Sequence, residues 1–140
     1  MTQSEAETEG LGASLAPSLG GEGVAYLIGD LGAGKTTLAR GMARGLGAAA
    51  REVASPTFAL LHEYAGEEGA IVLRHLDLYR LADDVRELEI LGLPDAVRGA
   101  PVCVEWPRGA IRRLLPPTVE IDLEVLPDER RLIRVRRLPP

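Results

Sequence analysis

One lysine constrains this 140-residue chain more than any other residue. The sequence holds sixteen lysines and arginines together, and Lys35 is its single lysine. It stands in Gly29-Asp30-Leu31-Gly32-Ala33-Gly34-Lys35-Thr36, a complete match to the phosphate-binding loop G-x-x-x-x-G-K-[ST]. Arginine serves wherever a surface cation suffices. Lysine is kept where a compact ammonium on a flexible stem must reach between phosphates. The glycines allow backbone N–H groups to line a concave nest around an anion. The helix that follows turns its positive end to the same place. Gly32, Ala33, Gly34, Lys35, Thr36 and Thr37 form the binding stretch, and the Thr36 hydroxyl is suited to one position on Mg²⁺.

The motif requires a strand before it and a helix after it, and the flanks supply both. Gly23 to Ile28 is a short apolar run that predicts a buried strand. Thr37 to Leu46 predicts a helix with Leu38, Met42 and Leu46 on one face, ended by Gly45 and Gly47. The length predicts a single domain, 1–140, which at this size buries roughly two-thirds of its unfolded surface. The lone Cys103 lies in the apolar run from Pro101 to Val104, which predicts a buried thiol and no internal disulfide. Met1 to Gly10 is acidic and polar, unlike a signal peptide, so a reducing cytoplasmic location is expected. A net charge of −5 argues against this chain gripping a nucleic-acid backbone alone.

Further along, Ser4 to Glu7 resembles a capping box, with Leu11, Leu15 and Leu19 at helical spacing behind it, in a helix ending near Ala16-Pro17. Arg51 to Pro56 reads as a polar connector. Phe58 to Tyr64 and Ala70 to Asp77 read as two strands joined by a turn over Ala65 to Gly69. Asp83-Asp84 caps a helix with Val85, Leu88 and Leu91 on one face, Leu93 to Arg98 reads as a further turn, Pro101 to Glu105 as a strand, and Ala110 to Leu115 as a helix. The tail, Thr118 to Leu138, predicts a hairpin turning at Pro127-Asp128. Val119, Ile121, Leu123, Val125, Ile133 and Val135 are expected inward; Glu120, Asp122, Glu124, Arg134 and Arg136 outward. Opposite charges across the pair account for most of the arginines between Arg130 and Arg137, with a nucleic-acid patch as the alternative. The expected fold is α/β: a three-layer P-loop NTPase-like arrangement, its mostly parallel central sheet flanked by helices, with a C-terminal antiparallel hairpin.

A phosphate loop needs a carboxylate for its metal and a group to orient water. Two apolar strands end in acids, Asp77 and Glu105, and ligands of open parallel sheets bind beyond the carboxyl ends of strands. At least one of the two is expected to serve the metal. Ser55-Pro56-Thr57 is a candidate γ-phosphate sensor, with an ordinary turn as the competing reading. Trp106 follows Glu105 and would stand beside the nucleotide. His62 and His75 belong to no metal-ligand constellation, and His75 reads as a strand residue rather than a base.

Four blocks narrow the assignment: Gly29 to Thr37, then Ser55-Pro56-Thr57-Phe58, then His75-Leu76-Asp77-Leu78-Tyr79-Arg80-Leu81, then Val104-Glu105-Trp106-Pro107. In order and spacing they resemble the TsaE family (older name YjeE), the small ATPase of the bacterial tRNA threonylcarbamoyladenosine system, over essentially the whole chain. The resemblance implies ATP and Mg²⁺ as cofactors, slow hydrolysis, and work in a complex with the TsaD and TsaB proteins that modifies the adenosine beside the anticodon of ANN-reading tRNAs, so that tRNA is met only through the complex. It implies that Thr36 and Glu105 hold Mg²⁺, that Asp77 orients water or supports the metal from behind, that Thr57 senses the γ-phosphate and that Trp106 walls the site. The family's adenine pocket points to Ser4, Glu5 and Arg130.

Two other classes compete. A small-molecule or nucleotide kinase needs an acceptor pocket and an arginine-bearing lid, and no insertion long enough for one lies between the strands. A GTP switch needs an Asn-Lys-x-Asp loop, and a chain with no asparagine and no second lysine cannot build it. Arg80 and Arg108 are the nearest candidates in sequence for a charge-stabilising finger, and neither is obviously poised.

Overall fold

The computed structural model describes residues 1–30, 32–54, 61–78, 92–93, 95–107 and 109–139. Strand β1, Val24–Ile28, runs through the middle of it. Its residues are apolar because both of its faces are covered. Ala25 and Leu27 pack into one core with Leu38, Met42 and Ile121, while Val24 and Tyr26 pack into a second with Val104 and Ile111. Around β1 lie β2 (Ala48–Ala54), β3 (Leu61–Gly66), β4 (Ile71–Asp77), β5 (Val102–Glu105), β6 (Val119–Val125) and β7 (Arg131–Arg137). They form one seven-stranded sheet in the order β2-β3-β4-β5-β1-β6-β7.

The sheet is mixed, not mostly parallel as expected. The β4–β5, β5–β1 and β1–β6 pairings are parallel. The β2–β3, β3–β4 and β6–β7 pairings are antiparallel; in the last two a short turn returns the strand in the opposite sense. The architecture is therefore α/β with four parallel strands at the centre and antiparallel strands on both flanks.

Helix α1 (Glu5–Leu15) is capped as its sequence predicts: the Ser4 hydroxyl accepts from the Glu7 amide at 3.1 Å. The Glu7 carboxylate reaches back to the Gln3 amide, one residue earlier than a standard capping box. Helix α2 (Lys35–Gly45) starts two residues before the predicted helix. Both lie over the first core, and they touch backbone to backbone. A Cβ on Gly41 would stand 1.9 Å from the Glu9 carbonyl, one on Gly12 2.3 Å from that of Leu38, and one on Gly45 2.6 Å from that of Ala13. Gly45 is therefore a packing residue, and the turn out of the helix falls on Gly47 at φ +95°. Helix α3 (Gly109–Leu114) and the 3₁₀ turn Asp95–Val97 cover the second core.

Three expectations change. Strand β2 takes in Arg51 to Ala54, which the sequence reads as polar connector, and the three alanines before it; its start, Ala48-Ala49-Ala50, carries neither alternation nor β-branched residues, and pairing to β3 decides its conformation. Glu120, expected outward, is buried at 6% exposure, and Val125, expected inward, is 43% exposed. The predicted helix after Asp83-Asp84, the Ser55-Pro56-Thr57 stretch, Arg80 and Arg108 lie outside the described residues. Cys103 is fully buried, as expected.

Candidate functional site

Loop 29–34 leaves β1 and enters α2 under tight backbone constraint. Gly32 and Gly34 sit at φ +80° and +100°, conformations that favour residues without a Cβ. Gly29 must be bare for another reason: a Cβ there would meet the Leu123 carbonyl at 2.5 Å. The loop thus lies against β6, and α2 opens directly beneath it. A cavity of about 800 Å³ adjoins this opening, lined by Gly32, Gly34, Lys35, Thr36 and Thr37. Ala33 contributes its backbone turn, its amide donating to the Asp30 carbonyl at 3.1 Å, while its side chain is buried in the first core.

The strand register brings the acids in. Asp77 at the end of β4 lies level with Glu105 at the end of β5, and Glu105 lies level with Leu27 of β1. Both acids line the cavity. The Glu105 carboxylate accepts from the Thr36 hydroxyl at 3.1 Å, and the same oxygen lies 2.5 Å from His75 Nε2. Burial alone would raise the Glu105 carboxyl, but hydrogen bonds from His75 and Thr36 and the nearby Lys35 charge outweigh it and hold it below the usual carboxylate range. The sequence reads His75 as a strand residue near Asp77; the structure sets its ring against the Glu105 carboxylate, where it fixes that side chain. Parallel pairing of β4 with β5 is the signal that would have found it.

Lys35 is 4% exposed. Its ammonium donates to the Gly29 carbonyl at 2.6 Å and lies 3.5 Å from the centre of the Trp106 ring. Burial lowers its pKa, opposed by the charges of Glu105, Asp77 and Asp30. Trp106 holds φ +59°, a conformation a bulky residue adopts only under constraint, and one that concentrates at functional sites.

The far wall comes from both ends of the chain. Gln3, Ser4, Glu5 and Thr8 line it from α1 and the segment before it, and Val125, Glu129 and Arg131 from the terminal hairpin. The ends are tied together: Thr2 and Arg131 exchange backbone hydrogen bonds of 2.8 Å each, and the Thr2 and Thr8 hydroxyls are 2.7 Å apart. Glu5, at the start of α1, is part of this wall. Arg130 is not among the lining residues; it pairs with Asp128 at 2.6 Å, and Arg131 stands at the cavity in its place. The hairpin register decides this, since Arg131 lies opposite Val125. Thr57 lies outside the described residues.

Among the described residues no group of three or more His, Cys, Asp or Glu converges as a metal cage. One hydroxyl and one or two carboxylates beside a phosphate loop suit a hard cation that keeps water and phosphate oxygens as its other ligands, which is how Mg²⁺ is bound. No helix among the described residues is long and apolar enough to cross a membrane.

Comparison with known proteins gives a consistent result. Residues 2–133 match the family model described as "Threonylcarbamoyl adenosine biosynthesis protein TsaE". The chain is 37% identical over 131 residues to the tRNA threonylcarbamoyladenosine biosynthesis protein TsaE of Rickettsia felis, covering 94% of this chain and 75% of that one. It is 43% identical over 115 residues to the Bacillus subtilis protein of the same name, covering 81% of this chain and 61% of the relative. In structure it is similar to the crystal structure of Bacillus subtilis YdiB, with a TM-score of 0.64 and 30% identity over 94% of this chain and 79% of that one.

Proposed function

This chain belongs to the TsaE family of threonylcarbamoyl adenosine biosynthesis proteins, and from that premise we propose that it is a weak Mg²⁺-dependent ATPase that drives tRNA threonylcarbamoylation in the cytoplasm within a complex with TsaD and TsaB. The observation that carries the reading is the convergence of Lys35, Thr36, Asp77 and Glu105 on one cavity where α2 opens. Bound Mg²⁺·ATP would supply the phosphoanhydride and the Lewis acid. The chain supplies the rest. The loop amides and the Lys35 ammonium bind the phosphates, with Lys35 exchanging the Gly29 carbonyl for them. Thr36 and Glu105 hold the cation, and His75 keeps the Glu105 carboxylate aimed at it. Asp77 orients the attacking water, Thr57 senses the terminal phosphate, and Trp106 walls the site.

Slow turnover by the chain alone follows from the same picture, since a transition-state arginine supplied by a partner is worth roughly 10³–10⁵ in rate. The test measures ATP turnover by the chain alone and with purified TsaD and TsaB, together with modified tRNA formed per complex. Wild type should turn over faster in the complex and support repeated modification. Lys35→Ala should lose calorimetric ATP binding and both activities. Full-speed hydrolysis by the isolated chain, or unchanged ATP affinity in Lys35→Ala, would sink the proposal.

A further inference from the structure

The terminal hairpin carries its arginines in two states. Arg130, Arg134 and Arg136 each face a carboxylate, of Asp128 at 2.6 Å, Glu124 at 3.3 Å and Glu120 at 2.6 Å. Arg131 does not. Among the described residues its guanidinium makes no ion pair; it donates only to carbonyl oxygens, those of Glu129 and, at 3.5 Å, of Gly32 in the phosphate loop. A cation met only by carbonyl oxygens keeps its charge unneutralised, and this one lines the same cavity as Lys35. Its placement is fixed. The Arg131 backbone is bonded to Thr2 on one side and paired with Val125 of β6 on the other. Arginine at this position presents a planar fork of donors suited to phosphate oxygens.

We propose that the Arg131 guanidinium is a second phosphate-binding cation of this site, which leaves the Gly32 carbonyl for the phosphate chain of a bound nucleotide. The inference rests on the nucleotide reading of the cavity. It also gives the Thr2–Arg131 backbone pair a purpose: it stops the hairpin end from swinging away with the charge.

The test measures ATP, adenosine and inorganic tripolyphosphate binding to wild type, Arg131→Ala, Arg131→Gln and, as a control, Arg134→Ala, across a range of KCl. Arg131→Gln keeps a long donor that reaches the loop, so it stays informative if the alanine variant folds poorly. A hydrogen bond to a charged group predicts a loss of roughly 10- to 100-fold in ATP affinity for both Arg131 variants. Tripolyphosphate affinity should fall with it, adenosine affinity should stay within about twofold, and the salt dependence of ATP binding should flatten, as expected when a charge contact is removed. Arg134→Ala should match wild type. Unchanged ATP affinity in Arg131→Gln, or an equal loss toward adenosine, overturns the assignment of Arg131. Failure of wild type to bind ATP overturns the nucleotide reading itself, a separate result.

Discussion

Glu105 and Asp77 end neighbouring strands at the same level, and the proposed function gives them different roles. Glu105 is 4% exposed and tied to Thr36 and His75, which suits a fixed metal ligand. Glu105→Ala should therefore weaken Mg²⁺-dependent ATP binding in calorimetry. Asp77→Ala should spare binding and lower turnover, because an acid that orients water acts mainly in the transition state. The reverse pattern would exchange the two assignments. Glu120 shows the same chemistry turned to stability. Burial raises its carboxyl, and hydrogen bonds from Arg112 and Arg136 more than reverse that, so its folded pKa lies below the ordinary value. A depressed carboxylate stabilises the fold above its unfolded pKa of about 4.3 and loses that contribution as pH falls through the lower folded value. Glu120→Gln should cost roughly 1–3 kcal/mol at neutral pH and flatten the acid limb of a urea-denaturation series. An acid limb as steep as that of wild type would show that other carboxylates carry it.

At the scale of elements, α1 and α2 depend on missing side chains. Gly12, Gly41 and Gly45 place backbone against backbone, so a methyl group must push the helices apart. Gly41→Ala should destabilise by roughly 1–3 kcal/mol despite its better helix propensity. Gly10 also lies in α1, but a Cβ there meets nothing within 4 Å. Gly10→Ala should stabilise by about 0.5–1 kcal/mol, because only the propensity gain remains. Chemical denaturation of both variants checks the pair, and a stabilising Gly41→Ala would mean the helices can slide. Neither glycine is distinguishable in the sequence, where both read as interior helix positions. What decides between them is the partner helix, and a single strand of text does not contain it. The same holds for β2, whose alanines take strand conformation from β3 rather than from their own preference.

For the whole molecule, the loop, the strand-end acids and the central strand were legible because local chemistry fixes them: an eight-residue motif, apolar runs and acids at their ends. The cavity's far wall was only half legible. It is assembled from residues 3–8 and 125–131, and choosing Arg131 over Arg130 requires the hairpin register, where a shift of one residue exchanges the faces. Glu120 and Val125 depart from the alternation of β6 for related reasons: two arginines draw one in, and the cavity leaves the other open. The chain has a single tryptophan, and it is the one under the Lys35 ammonium. All indole emission from the protein therefore originates at one ring, 3.5 Å from the ammonium that the proposed function assigns to the phosphates. The molecule carries its own optical probe. Adding ATP should shift the intensity or colour of that emission in wild type and leave it unchanged in Lys35→Ala, reporting site occupancy without any label.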